Sequence, residues 1–131
     1  MQNFTINDFE TKVKEITTRH KSVLDILTKL QESTAKVNRA VTKSATYCGC
    51  ININASKQES PNNITYSELS KYMKTHVEGD LCDICRDKVV QEISQNIFYL
   101  TALCNTFDID FESMIKNYYT QLNALGKYGL L

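Results

Sequence analysis

The scarcity of chain-breaking residues is the feature that most restricts how this sequence can fold. Only 4 glycines and 1 proline occur among its 131 residues, whereas a β-sandwich or barrel of this length needs many more turn residues. The length suits one hydrophobic core, so we expect residues 1–131 to form a single domain. An all-α fold, with long helices joined by few loops, is the predicted architecture.

Hydrophobic residues recur at three- and four-residue steps, which is the period of an amphipathic helix. We expect four or five such helices, packed as an antiparallel bundle. Caps and apolar stripes place the first helix from near Asp8, with Asn7 as its cap, and the second from Ser22 to Ala45–Tyr47. The third is expected from Thr65 to about Val77 and the fourth from about Leu81 to Asn105. The last begins at Asp108 or Asp110 and ends at Gly126. The fourth should be central and heavily buried because its apolar stripe is wide, comprising Val89, Ile93, Ile97, Leu100 and Cys104.

One segment lacks helical periodicity and reads as a loop. Residues 48–64 contain the single proline and many Asn and Ser residues, a composition typical of loops. Ile51 and Ile53 alternate with asparagine there, which predicts a short extended piece. Gly79 is expected to end the third helix, because glycine readily adopts the conformation that terminates helices.

The charges of the chain cancel in sum but not in distribution. Lys and Arg total 15, as do Asp and Glu, so the formal net charge is zero. Residues 1–47 nevertheless carry +3, from eight basic and five acidic side chains, and the remainder carries −3. A neutral chain is poorly suited to nucleic acid, and no such partner is expected. We interpret the two segments as solvated helix faces, with mutual attraction in the fold or across a dimer as the alternative.

No targeting or membrane-spanning segment is apparent. The N-terminus lacks a basic start followed by an apolar stretch, and the longest uncharged apolar run, Ile97 to Cys104, is far shorter than the roughly 20 residues that cross a bilayer. We therefore expect a cytoplasmic protein with no membrane partner. Thiols stay reduced in that compartment, where clustered cysteines are more often metal ligands than disulfides.

Five cysteines are an unusual number for such a chain, and four of them form two close pairs. Cys48 and Cys50 flank a glycine at the end of the second predicted helix, whereas Cys82 and Cys85 begin the fourth. Cysteines three apart in a first helical turn point to the same side, and the helix N-terminus favours thiolates. Four thiolates are the tetrahedral set that zinc prefers, and such a site is structural because no position stays open for water.

Other interpretations of the cysteines stay open at this point. His76 lies just upstream of the second pair and is a substitute zinc ligand. An iron–sulfur cluster, a redox pair formed by Cys82 and Cys85, and small core residues that never meet are the alternatives. Cys104 falls on an apolar stripe, and we expect it to be a buried small hydrophobe.

Two helical segments carry a resemblance to a known family. The sequences LQESTAKVNRAV, beginning at Leu30, and EISQNIFYLTALCNTFDIDFE, beginning at Glu92, are similar to the MazG-like all-α nucleoside triphosphate pyrophosphohydrolases. In that family one helix reads roughly L-x-E-E-x-G-E-L and another E-L-G-D-h-L-F-Y-L. The two patterns and their order extend the resemblance over about residues 8–126.

The resemblance implies a nucleotide substrate and Mg²⁺ as cofactor. Family members hold Mg²⁺ with carboxylates three or four apart on two helices, an arrangement that suits a hard cation. By position, the family's metal ligands correspond to Glu32, Ser33 and Lys36 on one helix and to Glu92 and Gln95 on the other. Glu32 and Glu92 are thus the candidate catalytic residues, and three of five carboxylates are replaced. The family also implies a homo-oligomer, a dimer or tetramer.

Two functions of different classes follow from these patterns. The first is a MazG-like nucleotide pyrophosphohydrolase with a degenerate carboxylate site and a structural zinc site of four cysteines. The alternative is a non-catalytic, zinc-stabilised helical module that binds a nucleotide or a protein. Loss of the carboxylates favours the alternative, whereas the helix patterns favour the enzyme.

Overall fold

The computed structural model describes residues 3–19 and 21–126, which are mostly helical with one small sheet. The elements in chain order are α1 (Ile6–Ile16), α2 (Val23–Lys43), a π-helical turn (Ser44–Cys48), β1 (Ile51–Ile53), α3 (Tyr66–Leu69), β2 (Val77–Gly79), α4 (Asp83–Thr106) and α5 (Phe111–Leu125). The predicted helical fold is confirmed in outline, with a two-stranded sheet added to it. Among the described residues, none of these helices is both long enough and apolar enough to cross a membrane.

The starts of the helices follow local capping chemistry. The Thr5 hydroxyl accepts a hydrogen bond from the Asp8 backbone N–H, and the Asp8 carboxylate accepts one from the Thr5 N–H. Thr5 is therefore the N-cap of α1, two residues earlier than the predicted cap at Asn7. Ser22 caps α2 and Asp110 caps α5, as expected. Each of these caps satisfies a backbone donor that a helix end otherwise leaves without a partner.

The predicted third helix is wrong beyond its first turn. Thr65 is the N-cap, but the helix ends at Leu69, and Val77–Gly79 forms β2 instead. His76 has a φ of 61°, a left-handed conformation that no helix accommodates. Antiparallel pairing with β1 holds this segment extended and aligns Gly79 with Ile51. Tertiary pairing here overrides a weak helical pattern, and Gly79 ends a strand rather than a helix.

The core lies where α1, α2 and α4 meet. Val13, Ile26 and Ala102, one from each helix, are almost fully buried and touch one another. The Asn105 side chain donates to the Glu10 carbonyl at 3.2 Å, which ties α4 to α1. These three helices therefore form the frame on which the rest of the chain is arranged.

Helices α2 and α4 run antiparallel, and this arrangement positions the cysteines. Asn96, midway along α4, donates to the hydroxyls of Ser33 and Thr34 on α2 at 3.0 and 2.9 Å. Ile26 near the start of α2 packs with Ala102 near the end of α4. The end of α2 consequently reaches the start of α4, where the two cysteine pairs lie.

The outer face of α4 departs from the prediction of a heavily buried stripe. Val89 and Cys104 are buried as expected, but Ile93, Ile97 and Leu100 are 43%, 40% and 39% exposed. Helix α4 packs against α1 and α2. Ile93, Ile97 and Leu100 nevertheless stay partly accessible at the surface of the single chain.

Candidate metal centre

The four paired cysteines converge at the end of the bundle where α2 meets α4. The sulfur atoms of Cys48, Cys50, Cys82 and Cys85 all lie within 4.8 Å of one another, and this is the one cluster of metal-ligating side chains found among the described residues. The Cys48 and Cys82 sulfurs are 3.8 Å apart. All four are free thiols rather than disulfides. The predicted convergence of the two pairs is confirmed.

The first pair is presented by the turn that follows α2. The π-helical turn ends at Cys48, and Gly49 reverses the chain with a φ of 82° while its N–H donates to the Ser44 carbonyl at 2.8 Å. The Cys50 thiol lies 3.7 Å from the same carbonyl. Cys48 and Cys50 thus lie on either side of a left-handed glycine, which turns both sulfurs toward α4.

The hairpin of β1 and β2 brings the second pair to the first. Gly79 lies opposite Ile51 with a φ of 84°, and a β-carbon at this position would lie 2.7 Å from the Cys50 carbonyl oxygen. Only glycine permits so close a backbone approach together with a positive φ. Three residues later the chain reaches Cys82, so the tight hairpin fixes the distance between the pairs.

The second pair lies at the N-terminus of α4. Cys82 is the N-cap, and its sulfur accepts the backbone N–H of Cys85 at 3.4 Å. This hydrogen bond, with the neighbouring Cys85 side chain, lowers the pKa of the Cys82 thiol to about 7. A hydrogen bond with Ser44 lowers the pKa of the Cys85 thiol. The nearby thiols, Cys82 first among them, raise it by more, and the pKa of Cys85 is about 12. The first thiolate of the cluster therefore forms at Cys82.

The sulfur positions fit a single tetrahedral metal ion. Zinc binds thiolate sulfur at about 2.3 Å, which places the sulfurs of a regular tetrahedron about 3.8 Å apart. The Cys48–Cys82 separation of 3.8 Å matches this value, and the 4.8 Å limit for the group is close to it. An iron–sulfur cluster inserts several atoms between its thiolates and needs wider spacing. The donor set thus suits a mononuclear ion of zinc type.

Two other residues considered with the cysteines lie apart from the cluster. His76 is not part of the group of four sulfurs; it precedes β2, where its carbonyl accepts the Asn54 N–H at 2.9 Å. Cys104 is buried in α4, and burial raises the pKa of its thiol. The four cysteines alone therefore form the site, and Cys104 is a core residue as predicted.

A cleft between α2 and α4 opens directly beside the cysteines. It has a volume of about 400 Å³, and Cys48 and Cys85 form part of its wall. Four cationic side chains line it, namely Lys36, Arg39, Lys43 and Lys88. Tyr47 is 88% exposed at the same place, and the Lys43 ammonium lies 5.8 Å from the centroid of its ring. The basic cleft therefore combines a mainly apolar lining with four cationic side chains and an exposed tyrosine.

The only carboxylate in the wall of the cleft is Glu92. This residue is 4% exposed, and one of its oxygens accepts the Lys88 ammonium at 2.9 Å. The other oxygen is buried without a hydrogen-bond partner. A buried carboxylate oxygen normally has a donor, so this atom is an unsatisfied acceptor beside the cleft.

The residues that match the MazG-like metal motif do not belong to the group of potential metal ligands found among the described residues. Glu32 lies on the surface of α2, where Lys36 and Lys29 approach it at 3.0 and 3.8 Å, and hydrogen bonding to Lys36 lowers the pKa of its carboxyl. Glu32 does not line the cleft that contains Glu92. Ser33 accepts a hydrogen bond from Asn96 between the helices. Mg²⁺ needs several oxygen ligands, and a lysine at this position repels it.

The basic cleft was not predicted from the sequence, because its cations were interpreted as a solvated face. Lys36, Arg39 and Lys43 recur at helical spacing and so share one side of α2. Their convergence with Lys88 depends on the antiparallel contact of α2 with α4. One signal in the sequence could have revealed the cleft. The run of cations on the second predicted helix leads to the Cys48–Cys50 pair, which was predicted to lie at the end of that helix.

Comparisons with family models, curated proteins and solved structures returned no match for this chain. The MazG-like resemblance therefore rests on the two helix patterns and stays a prediction.

Proposed function

We propose that this chain is a helical module that a zinc ion stabilises at one end and that binds a nucleotide in the adjacent basic cleft. The proposal corresponds to the non-catalytic alternative of the sequence analysis. The zinc ion would hold the end of α2, the hairpin and the start of α4 together. The nucleotide would place its phosphates among the cations of the cleft.

The observation that carries the binding proposal is the convergence of four cations on one cleft. Lys36 and Lys88 pair with Glu32 and Glu92 at 3.0 and 2.9 Å, so the excess positive charge of the wall is that of Arg39 and Lys43. Arg39 has no ion pair among the described residues, and its planar guanidinium suits bidentate contact with phosphate oxygens. The chain as a whole is neutral. A local basic cleft in a neutral protein favours a small anionic ligand over a long polyanion.

The aromatic ring beside the cations favours a nucleotide over inorganic phosphate. Tyr47 exposes nearly all of its ring at the cleft. An exposed aromatic face gains stability when a nucleobase stacks on it, by about 1 to 3 kcal/mol in single-stranded nucleic-acid sites. The cleft volume of about 400 Å³ also falls within the range of small-molecule sites.

Hydrolysis through Mg²⁺ is not part of the proposal. Of the positions that match the family's ligands, Glu92 alone presents a carboxylate to the cleft, and Lys88 already neutralises it. Lys36 and Ser33 replace carboxylates at two of the others. The residues present therefore do not fit the metal cluster that the family's reaction requires.

Metal analysis tests the zinc part directly. We expect protein purified under reducing conditions to contain about one zinc per chain, and Cys82→Ser to lose it. Cys104→Ala is the matched control, because Cys104 lies outside the cluster and should leave the zinc content unchanged. A wild-type protein without bound zinc, or zinc that persists in Cys82→Ser, contradicts this part.

Calorimetric titration with a panel of nucleoside mono-, di- and triphosphates tests the cleft. We expect the triphosphates to bind most tightly. Arg39→Gln should weaken binding by about 10- to 100-fold, since a charge-assisted contact contributes about 1.5 to 3 kcal/mol. Lys71→Gln removes an exposed cation outside the cleft and should leave affinity unchanged.

Two outcomes of the titration would count against the nucleotide proposal. Absence of binding across the whole panel would show that the cleft does not bind nucleotides. Equal effects of Arg39→Gln and Lys71→Gln would show that binding follows overall charge rather than the cleft. Release of pyrophosphate from any nucleotide during the same titration would instead support the enzymatic hypothesis and contradict a purely binding role.

A further inference from the structure

We propose that Cys48 and Cys82 form a reversible oxidation site, at which a peroxide joins the two sulfurs in a disulfide and releases the zinc ion. This rests on the zinc part of the proposed function, because the bound metal is what the oxidation displaces. The cysteines would then regulate the site as well as build it, since metal occupancy would follow the oxidation state of one sulfur pair. The redox pair that the sequence alone suggested, Cys82 with Cys85, is a different one.

Cys48 is the sulfur of the cluster that an oxidant reaches most readily. It is exposed, whereas Cys50, Cys82 and Cys85 are half-buried and Cys104 is buried. Cys48 also forms part of the wall of the basic cleft. A small neutral oxidant such as hydrogen peroxide can therefore approach this sulfur through the cleft while the helices stay folded.

The charges beside Cys48 favour its reaction with a peroxide. Arg39, Lys43 and Lys88 line the same cleft, and reactive cysteines characteristically lie in such electropositive, partly exposed surroundings. Nearby cations stabilise the hydroxide that leaves when the O–O bond breaks. While the metal is bound, Cys48 is a thiolate, because a thiol that coordinates a metal ion is deprotonated. The site therefore presents the nucleophile and the positive charge together.

The Cys82 sulfur lies within reach of an oxidised Cys48. The two sulfurs are 3.8 Å apart, and a disulfide needs about 2.0 Å, so they must approach each other by about 1.8 Å. No atom of the described residues lies within 4 Å of the position that a β-carbon would take at Gly49, the residue after Cys48, so the turn has space to adjust. Redox-sensing cysteines commonly lie next to a second cysteine that forms the disulfide with them.

The reaction balances with one peroxide for each zinc ion released. In the first step the Cys48 thiolate attacks the peroxide, an S–O bond forms, the O–O bond breaks, and hydroxide leaves a sulfenic acid on Cys48. In the second step the Cys82 thiolate attacks the Cys48 sulfur, an S–S bond forms, the S–O bond breaks, and a second hydroxide leaves. Two electrons pass from the sulfurs to the peroxide, and both hydroxides become water by taking up protons. Cys50 and Cys85 alone no longer hold the metal, and they become thiols by taking up two more protons.

Titration of the zinc-loaded protein with hydrogen peroxide tests the site. We expect free zinc, followed with a chromogenic chelator, to appear in an amount equal to the peroxide consumed. Alkylation with iodoacetamide in denaturant should then label Cys50, Cys85 and Cys104 and leave Cys48 joined to Cys82, as located by tandem mass spectrometry. Dithiothreitol with added zinc should restore the original zinc content.

Two histidine substitutions provide the test variant and its matched control. Cys48→His and Cys50→His each leave three cysteines and one histidine, a ligand set that also binds zinc. Only Cys48→His removes the exposed sulfur, so we expect it to slow zinc release by about tenfold or more. Cys50→His should release zinc at close to the wild-type rate. In the zinc-free proteins, peroxide should still produce the Cys48–Cys82 disulfide in Cys50→His.

The zinc content before oxidation separates the oxidation site from the zinc site on which it rests. A wild-type protein purified without zinc contradicts the zinc site, and the release step with it. Zinc that is bound but stays bound in excess peroxide overturns the oxidation site alone. A disulfide between Cys82 and Cys85, or equal protection by Cys48→His and Cys50→His, also overturns it, because the oxidant then does not act through the exposed pair.

Discussion

Cys82 is the residue of the cluster that ionises most easily when no metal is bound. Its pKa of about 7 follows from the Cys85 backbone N–H, so about half of this thiol is thiolate at pH 7, against a few per cent for an ordinary cysteine. In zinc-free protein we therefore expect Cys82 to be alkylated first by iodoacetamide. Its rate should rise with pH through 7 and approach a plateau above 8, as followed by peptide mass spectrometry.

Cys85 and Cys104 are the internal controls for that measurement. The pKa of Cys85 is raised to about 12 and that of Cys104 is raised by burial, so both should react slowly at pH 8. Zinc should protect Cys82, because a coordinated thiolate is a weaker nucleophile than a free one. Alkylation of Cys104 ahead of Cys82 would contradict the hydrogen-bonding scheme at the start of α4.

The hairpin of β1 and β2 depends on glycine at a position of close approach. In Gly79→Ala the new β-carbon would lie 2.7 Å from the Cys50 carbonyl oxygen, at a φ of 84°. An alanine in the left-handed backbone conformation costs roughly 1 to 2 kcal/mol by itself. We expect Gly79→Ala to lower the free energy of unfolding by well above this amount. The zinc affinity should fall too. Urea denaturation and chelator competition measure the two effects.

Gly49→Ala provides the matched control for the hairpin. Gly49 has nearly the same φ, 82°, but no atom lies within 4 Å of its missing β-carbon. This variant should therefore show the conformational cost alone. Equal destabilisation by the two substitutions would mean that the approach of Gly79 to Cys50 contributes nothing to the site.

The half-buried side-chain amide of Asn96 aligns α2 with α4. Asn96→Ala removes the hydrogen bonds that Asn96 donates to Ser33 and Thr34. The Ser33 hydroxyl then keeps only the bond that it donates to the Leu30 carbonyl. We expect a loss of about 1 to 3 kcal/mol in unfolding free energy, measured by urea denaturation. Gln95→Ala, at an exposed neighbour on the same helix, should change it by less than about 0.5 kcal/mol.

The sequence predicted the elements whose signals are local and missed those that depend on pairing. Ser22 and Asp110 cap helices where their chemistry placed them, because a cap needs only the next turn. The third helix was predicted to run to about Val77 and to end at Gly79, because nothing in the sequence of Val77–Gly79 shows that Ile51 and its neighbours would pair with it. A strand of three residues takes its stability from its partner rather than from its own propensity.

The metal centre was predictable to a greater extent than the cleft beside it. Two close pairs of cysteines are typical of a zinc site. This prediction depends on the spacing within each pair and therefore holds even where the predicted helix boundaries are off by a few residues. The cations of α2 carry no such rule, since the same spacing serves a solvated face equally well. Their meeting with Lys88 and Glu92 is a consequence of the register between α2 and α4, and Asn96 fixes that register.

The cysteine cluster and the hydrophobic core lie in different parts of the molecule. The core of Val13, Ile26 and Ala102 joins α1, α2 and α4 at one end of the bundle. The four cysteines join the turn after α2, the hairpin and the start of α4 at the other end. Loss of the metal should therefore loosen one end of the molecule while the other end stays folded.

Chelation of the metal under reducing conditions tests this division. We expect the melting temperature to fall by several degrees or more, since about 1 kcal/mol corresponds to roughly 3 to 6 °C for a chain of this size. Hydrogen exchange should accelerate first around Cys48–Ile53 and Val77–Cys85. The amides near Val13, Ile26 and Ala102 should stay protected. Uniform acceleration throughout the chain would show instead that zinc supports the whole fold.

The same treatment links the metal to the cleft. Cys48 and Cys85 form part of the wall that also contains Arg39 and Lys88, so a metal ion bound by the cysteines would fix the distance between the cations of α2 and that of α4. Zinc removal should therefore weaken nucleotide binding even though no nucleotide atom needs to touch the ion. Re-addition of zinc should restore the affinity. Binding that is unchanged without zinc would show that the helical frame alone holds the cleft in shape.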